Sequence, residues 1–338
     1  MNSAVTDDRD GLAAIYRRFA EDEAHGRSQL YEELAHRIAT DLSTRAFLAS
    51  LPRDRQQPNL LFAAIRYLSG TPKGWEQFRD FVCDHPQELS SVMMARRTQT
   101  NEPARCATLM PLFAKLRPPL ALLEVGAAAG LCLLPDRYEY DYGRQRVSLS
   151  STANPEPPTF SCEVNDATPL PTKPPEVAWR VGLDLDPIDV NDTDQVAWLE
   201  ALVWPDEKDR LRLLRAALQV ARQDPPRVVQ GDLRTELPAL VAQAPRDATL
   251  IVFHTAVLGY VTADERAAFA QTVRDLGVIW ISNEAPQCFP QITKKANERW
   301  PRGHFLLSIN GHAIAWTDPH GSRIEWFAPL LPIGTTDQ

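Results

Sequence analysis

The sequence predicts a doubly wound α/β domain with a mostly parallel sheet, placed behind an all-helical N-terminal region. Three observations predict it. From residue 118 onward, short apolar runs alternate with helical stretches, the pattern of parallel strands joined by crossover helices. Before that point apolar residues recur at helical spacing. Between the two regions stands Pro118-Pro119, which cannot continue a helix. The expected division is therefore a helical domain over 1–117 and an α/β domain over 118–338.

In the first region, Leu12, Ile15, Tyr16 and Phe19 recur at helical spacing, then Leu30, Leu34, Ile38 and Leu42. A third helix holds Leu60, Leu61, Ala64, Ile65 and Leu68 and stops at Gly70 and Pro72. Trp75, Phe78, Phe81 and Val82 continue the pattern to His85-Pro86, and no strand is expected. In the second region five runs read as buried parallel strands: Leu120 to Val125, Val177 to Leu183, Arg227 to Gln230, Thr249 to His254, and Val278 to Ser282. Helices are expected between them, at Asp209 to Arg222 and Ala263 to Leu276. Phe305 to Asn310 and Ala313 to Trp316 meet at Asn310-Gly311, a hairpin turn in which both residues must tolerate positive φ. Residues 131–176 break the alternation and read as an insertion. Tyr138 to Gly143 and Arg146 to Ser150 would pair there around Gly143, whereas Pro155, Pro157, Pro158, Pro169, Pro171, Pro174 and Pro175 interrupt the remainder.

The balance of 44% hydrophobic and 24% charged residues over 338 positions is that of a globular protein with room for two cores. A net charge of −8 argues against a general nucleic-acid binder, which needs a basic face. The five cysteines form no CxxC pair, and no zinc spacing appears, so they read as buried or free thiols of a reducing compartment. Neither a signal segment nor an apolar run of about 18 residues is present, so a cytoplasmic protein without a membrane span is expected. The sequence sets no oligomeric state.

The sharpest local signal is Leu122-Leu-Glu-Val-Gly-Ala-Ala-Ala-Gly-Leu131, an apolar strand, a carboxylate, a small-residue turn and an expected helix. Gly126 and Gly130 can take dihedrals closed to other residues, and a helix start would offer N–H groups to a ligand. A P-loop would need Lys-Ser/Thr after Gly130, where Leu131-Cys132 stands; a dinucleotide fingerprint would need glycine at 128 and 131, where Ala128 and Leu131 stand. The run instead resembles motif I of S-adenosylmethionine-dependent methyltransferases, an acidic residue followed at the second position by Gly-x-Gly-x-Gly. Glu124, Gly126 and Gly130 match, and Ala128 replaces the middle glycine. The resemblance implies a Rossmann-like methyltransferase fold and S-adenosylmethionine as cofactor, its methionine end held by Glu124 and the turn. The other reading of the turn is packing of a strand against a helix.

Downstream elements extend the resemblance. The second strand ends Gly182-Leu-Asp184-Leu-Asp186-Pro187, similar to the family's second motif, which implies ribose binding by Asp184, with Asp186 as second choice. A bidentate carboxylate suits two adjacent hydroxyl donors. Gln230-Gly-Asp232 is similar to the third motif, which implies that Asp232 accepts from the adenine amino group. Each of these acids has a plain alternative as a helix or turn cap. A metal site over Asp184, Asp186, Asp189, Asp192 and Asp194 lacks the glycine and terminal glutamate of a calcium loop, and no metal is expected. His254 ends the fourth strand, where open α/β sheets place ligand-facing groups. Catalytic candidates are His254, Tyr260, Glu284 and Tyr142, with His254 titrating in the range of a general base. Its alternative is a satisfied buried histidine. Gln99, Asn101, Arg105 and Asp141 are candidates for contacting substrate, the first three from a helical cap that would exclude water. Equally, Thr100 or Asn101 would cap a helix with Pro103 in its first turn.

Across nearly its whole length the chain also resembles a largely uncharacterised group of bacterial proteins defined by a domain of unknown function. That similarity rests on Arg97-Thr-Gln-Thr-Asn-Glu-Pro-Ala-Arg-Cys106, Asp136-Arg-Tyr-Glu-Tyr-Asp-Tyr-Gly143, Val203-Trp-Pro205 and Val252-Phe-His-Thr-Ala-Val-Leu-Gly-Tyr260. It implies no established reaction. The expected function is methyl transfer to a small molecule, in which positioning carries most of the catalysis. The rival readings are a non-catalytic protein of this fold that binds a nucleoside ligand or a protein partner, and aminopropyl transfer in the same cleft.

Overall fold

The computed structural model describes residues 3–99, 101–149, 156–294, 296 and 303–329. Thr100, Ser150 and Pro155, to which expectations above refer, lie outside the described residues, as does the start of the chain at Met1 and Asn2. The chain divides into two units, Met1–Thr100 with Asp192–Arg212, and Asn101–Asn191 with Leu213–Gln338.

The first unit is helical, and no strand occurs among its described residues. Its elements are α1 (Ser3–Arg18), α2 (Gln29–Ile38), α3 (Leu42–Ala49), α4 (Pro58–Ser69), α5 (Trp75–Asp84) and α6 (Pro86–Ala95). The Ser28 hydroxyl accepts from the Tyr31 amide to cap α2, and the Asp41 carboxylate accepts from that of Thr44 to cap α3. That cap ends the period running from Leu30: Leu42 opens a new helix and is 65% exposed, although Leu34 and Ile38 are buried. Ile15 likewise faces outward. The core gathers on Phe62, stacked on Tyr31 and met edge-on by Tyr16 and Phe78. Trp198 and Trp204, distant in sequence, belong to this core, which is why Asp192–Arg212 joins the unit. That stretch contains α8 (Thr193–Leu202) and the start of α9 (Lys208–Gln223).

The second unit begins at Asn101, earlier than the expected boundary at 118. It opens with α7 (Arg105–Phe113), every residue of which is buried. Phe113 meets Phe253 edge-on, and the Ala107 carbonyl accepts from the Tyr142 hydroxyl, so α7 is core to this unit. The strands are β1 (Leu120–Val125), β2 (Glu139–Asp141), β3 (Arg146–Val147), β4 (Thr159–Ser161), β5 (Glu163–Val164), β6 (Val177–Asp184), β7 (Val228–Gln230), β8 (Thr249–Thr255), β9 (Ile279–Glu284), β10 (Phe305–Ile309), β11 (His312–Thr317) and β12 (Arg323–Trp326). Nine of them make one mostly parallel sheet in the order β5-β12-β11-β10-β9-β8-β1-β6-β7. The segment from β7 to β9 is parallel throughout, and the order reverses at β1, between β6 on one side and β8 on the other. β10 and β11 form the expected antiparallel hairpin, with Asn310 at φ 50° and Gly311 at φ 77°. The crossovers are completed by α10 (Leu237–Val241) and α11 (Ala263–Asp275), and α12 (Pro290–Thr293) follows β9.

The insertion builds a separate three-stranded sheet, β3-β2-β4, and then supplies β5 to the far edge of the main sheet. Its tyrosines are buried and tied to backbone: Tyr138 donates to the Leu131 carbonyl and Tyr140 to that of Pro135. These hydroxyls tie the described residues of the β1–β6 connection to its own backbone.

Candidate functional site

The turn leaving β1 is wired entirely to the protein. Gly126 and Ala127 amides donate to the Leu183 carbonyl at 2.7 and 3.3 Å. The Ala128 amide donates to Asp184 Oδ2 at 2.8 Å, the Ala129 amide to Asn101 Oδ1 at 3.2 Å, and the Gly130 amide to the Ala127 carbonyl at 2.6 Å. Gly126, Ala128 and Gly130 all take positive φ, 72°, 47° and 69°. A Cβ at Gly126 would overlap the Val257 side chain, and one at Gly130 would meet Pro226. The α-helix expected after the turn is absent. Leu131–Leu133 form a single 3-10 turn, and a second one, Pro135–Arg137, follows. The residue before a proline avoids the helical region, and Leu131 to Leu134 are all buried, with no polar face for a surface helix. The turn therefore offers no helix N-terminus.

Strand alternation sorts the remaining candidates onto two faces. Leu123 and Val125 of β1, Val181 and Leu183 of β6, Val252 of β8 and Trp280 of β9 share one core with α10 and α11. Residues one position away face the other side, where α7 lies against Phe253. Glu124, in register with Gly182 and Phe253, thus belongs to the α7 side together with Asp184, Thr255 and Asn283. His254 and Glu284 belong to the opposite side, among Phe269, Trp280 and Phe289.

On that opposite side His254 and Glu284 are paired, whereas the Trp316 indole N–H is buried without a partner. The Trp280 indole N–H donates to His254 Nε2 at 2.9 Å, so Nε2 is an acceptor and Nδ1 carries the proton, which it donates to Glu284 Oε1 at 2.7 Å. The same Glu284 oxygen accepts from the Val257 and Leu258 amides at 2.9 and 3.2 Å. His254 is wholly buried with both ring nitrogens engaged. This arrangement anchors the loop after β8.

On the α7 side several polar groups lack partners. Glu124 is 4% exposed, and its Oε2 has none. Burial holds this carboxyl well above the usual range, with the neighbouring Cys132 and Asp184 adding to the rise and Arg105 opposing it. The Nδ2 groups of Asn101 and Asn283 are also buried and unpartnered, although their Oδ1 atoms accept from Ala129 and from the Thr317 hydroxyl. Arg105 is 4% exposed; its Nε donates to the Pro319 carbonyl at 2.8 Å and its Nη1 to Thr255 O and Oγ1 at 3.1 and 3.3 Å. Glu102 stands 3.4 Å from His320. Gly321, at φ 82°, brings the β11–β12 turn directly onto the backbone of Ala104 and Arg105, where no Cβ would fit. Asn101, read as a helix cap, does not cap α7, whose first flanking residue is Ala104 with no side-chain cap.

The other candidates are scattered. Asp184 bonds the turn through one oxygen and the Asp186 amide through the other. Asp186 is exposed. Asp232 is gripped by Arg234, whose Nε lies 2.8 and 2.9 Å from its two oxygens, and this holds its carboxyl below the usual range. Tyr142 is buried with its hydroxyl on the Ala107 carbonyl, and burial pushes its phenol far up. Asp141 accepts from the Gly143 amide and pairs with Arg146, which stabilises the β2–β3 hairpin. Tyr260 is 72% exposed on the loop after β8. Gln99 is partly buried in the first unit. Thr255 and Asn283 were not singled out from the sequence; the signal that marks them is their shared parity with Glu124 once the register is known.

Among the described residues no group of three or more His, Cys, Asp or Glu side chains is arranged to hold a metal, and all five cysteines are free thiols. No helix among them is long and apolar enough to cross a membrane. The chain belongs to the family described as an uncharacterised protein conserved in bacteria (DUF2332), whose profile matches residues 13–326. No curated protein matches it.

Proposed function

We propose that the α/β unit binds S-adenosylmethionine at the carboxyl end of β1 and transfers its methyl group to a small molecule. The observation that carries this reading is the buried, unpartnered Oε2 of Glu124 at the strand where the sheet order reverses. Open α/β sheets bind ligands at that crevice, and a native structure rarely leaves such an atom without a function. The parallel order β7-β6-β1-β8-β9 and the neighbouring carboxylate of Asp184 support the same reading.

The residues present fit the cofactor at one end of the site. Glu124 and Asn101, each with an orphaned polar atom, and Asp184 at the adjacent strand tip are the groups that would hold it. Asp232 does not count among them, because Arg234 occupies its oxygens. When bound, the sulfonium supplies an already activated methyl group. The chain's own part is then to orient and to exclude water. The buried face under α7 provides a site where hydrogen bonds are strengthened by low polarity. His254, Glu284 and Tyr142 are engaged internally, so the acceptor this site suits is one that needs no deprotonation by them. Tyr260, exposed on the loop after β8, is the one catalytic candidate that is not engaged internally by a described contact of its side chain.

Titration calorimetry with S-adenosylmethionine and S-adenosylhomocysteine tests the reading. Micromolar binding is expected, lost on Asp184→Asn in a variant that still melts cooperatively; absence of binding to both ligands in the wild type overturns it. A second reading, a ligand-binding protein without turnover, is favoured by one specific observation: all five amides of the turn are already used. Binding without methyl transfer across a small-molecule panel would select it.

A further inference from the structure

We infer that the polar row beneath α7 is a receptor for a carboxylate, with Arg105 supplying the charge and the side-chain amides of Asn101 and Asn283 supplying donors. The inference rests on the reading above only for the identity of one possible carriage of that carboxylate, not for the receptor itself.

Arg105 carries its positive charge into a nearly sealed position, and the groups it donates to or stacks on are neutral: the Pro319 carbonyl, the Thr255 carbonyl and hydroxyl, and the face of Phe305. None of these is a carboxylate. A buried cation is costly unless an anion compensates it. Two buried acids lie close by: Glu124, within the field of Arg105, and Glu102, which accepts from the Ala104 amide and stands 3.4 Å from His320. The orphaned oxygen of Glu124 sits in surroundings that favour the protonated form, an O–H donor for the same row.

The two amides point the same way chemically. Each asparagine spends its oxygen on the protein, on the Ala129 amide and on the Thr317 hydroxyl, and keeps a buried NH2 without an acceptor. In both asparagines the free atom is a donor, which suits an anion. Glu124 on β1 and Asn283 on β9 are separated by β8, a lateral span of roughly 10 Å, and Arg105 reaches Thr255 on the strand between them. Donors spaced in this way suit a carboxylate-bearing small molecule, and a single oxyanion would take Arg105 with one amide.

Two sources can present that group: the amino-acid end of the cofactor, or the acceptor substrate. The experiment compares S-adenosylhomocysteine with 5′-methylthioadenosine, which lacks the carboxylate, and adds malonate and benzoate as simple carboxylates in thermal-shift titrations. Wild type is compared with Asn283→Asp and Asn101→Asp. Both variants retain the Oδ1 bond and replace the free NH2 by a carboxylate oxygen, so folding is expected to survive, and either one suffices if the other misfolds. If the cofactor carries the group, wild type prefers S-adenosylhomocysteine by about tenfold or more, and the variants erase that preference by weakening S-adenosylhomocysteine more than methylthioadenosine. If the acceptor carries it, the two nucleosides bind alike, while malonate or benzoate stabilises wild type saturably and the variants not. Binding of neither nucleoside ends the methyltransferase reading, yet the carboxylate titration still decides the receptor. The inference is overturned if neither preference nor carboxylate stabilisation responds to either substitution.

Discussion

Asn283 and Glu284 are neighbours at the end of β9, yet they face opposite sides of the sheet and live under opposite conditions. One oxygen of Glu284 receives three donors: the His254 ring, the Val257 amide and the Leu258 amide. Asn283 is equally buried and leaves its NH2 without an acceptor. The same contrast holds across the sheet, since His254 has both ring nitrogens engaged and Glu124 has a bare oxygen. The His254–Glu284 cluster, whose groups complete one another, is built for rigidity; the orphaned groups under α7 are those that we propose a ligand completes. Of the four residues that look catalytic in the sequence, His254 and Glu284 are on the rigid side.

The strongest way to break this contrast is to remove each neighbour in turn. Glu284→Leu strands three buried N–H donors, and each unsatisfied donor costs about 1–3 kcal/mol. The expected loss is therefore about 3 kcal/mol or more. Asn283→Leu gives up one bond to Thr317 but also removes an amide that had no partner, and should cost about 1 kcal/mol. Urea unfolding of the two variants measures the difference directly. Equal losses would mean that both faces are structural, and the division drawn between them would be lost.

A finer test uses protons. Burial raises the Glu124 pKa above its ordinary value of 4.5, so in the window above that value the folded chain holds a proton that the unfolded chain has released. Stability from this group is complete below the ordinary value and declines as pH rises toward the folded value. Glu124→Gln is isosteric and does not titrate. It should therefore match or trail the wild type in acid and gain on it steadily as pH increases from about 4 to about 9. Melting curves of both proteins across that range check the sign. Parallel curves would show that Glu124 ionises freely in the fold, and the α7 side would then hold a compensated charge.

Much of this was legible in the residues. Apolar runs bounded by turn signals marked β1, β6, β7, β8 and β9; in the central β1, buried at every position, no alternation is needed, whereas β7 is a half-exposed edge strand. Asn310-Gly311 marked its hairpin because both residues must adopt positive φ. Glu124 was identifiable as a charge ending an apolar strand. Three things were not legible, each because it depends on distant contacts. Parity between strands requires the register, and only Glu124 aligned with Phe253 shows that His254 turns away from it. The assignment of α7 to the second unit follows from Phe113 on Phe253, and that of α8 to the first from Trp198 in its core. The missing helix after Gly130 had a local cause, Pro135, but it was masked by a motif that elsewhere leads into a helix.

The smallest predicted effect concerns the residue that departs from the motif. Ala128 sits at φ 47°, a conformation that costs an L-residue with a Cβ roughly 1–2 kcal/mol. Its amide on Asp184 and its carbonyl, which accepts from Ile188 at 3.1 Å, hold it there. Glycine at this position relieves the strain but gives the unfolded chain more freedom, at about 0.5–1 kcal/mol. Ala128→Gly should thus stabilise the protein by no more than about 1 kcal/mol, a rise of a few degrees at most in the melting temperature. The alanine then reflects tolerance of strain in a turn already braced by six hydrogen bonds of its own amides and carbonyl. A marked destabilisation would instead show that the Ala128 methyl packs productively, and that the alanine is there for packing and not as a tolerated departure from the motif.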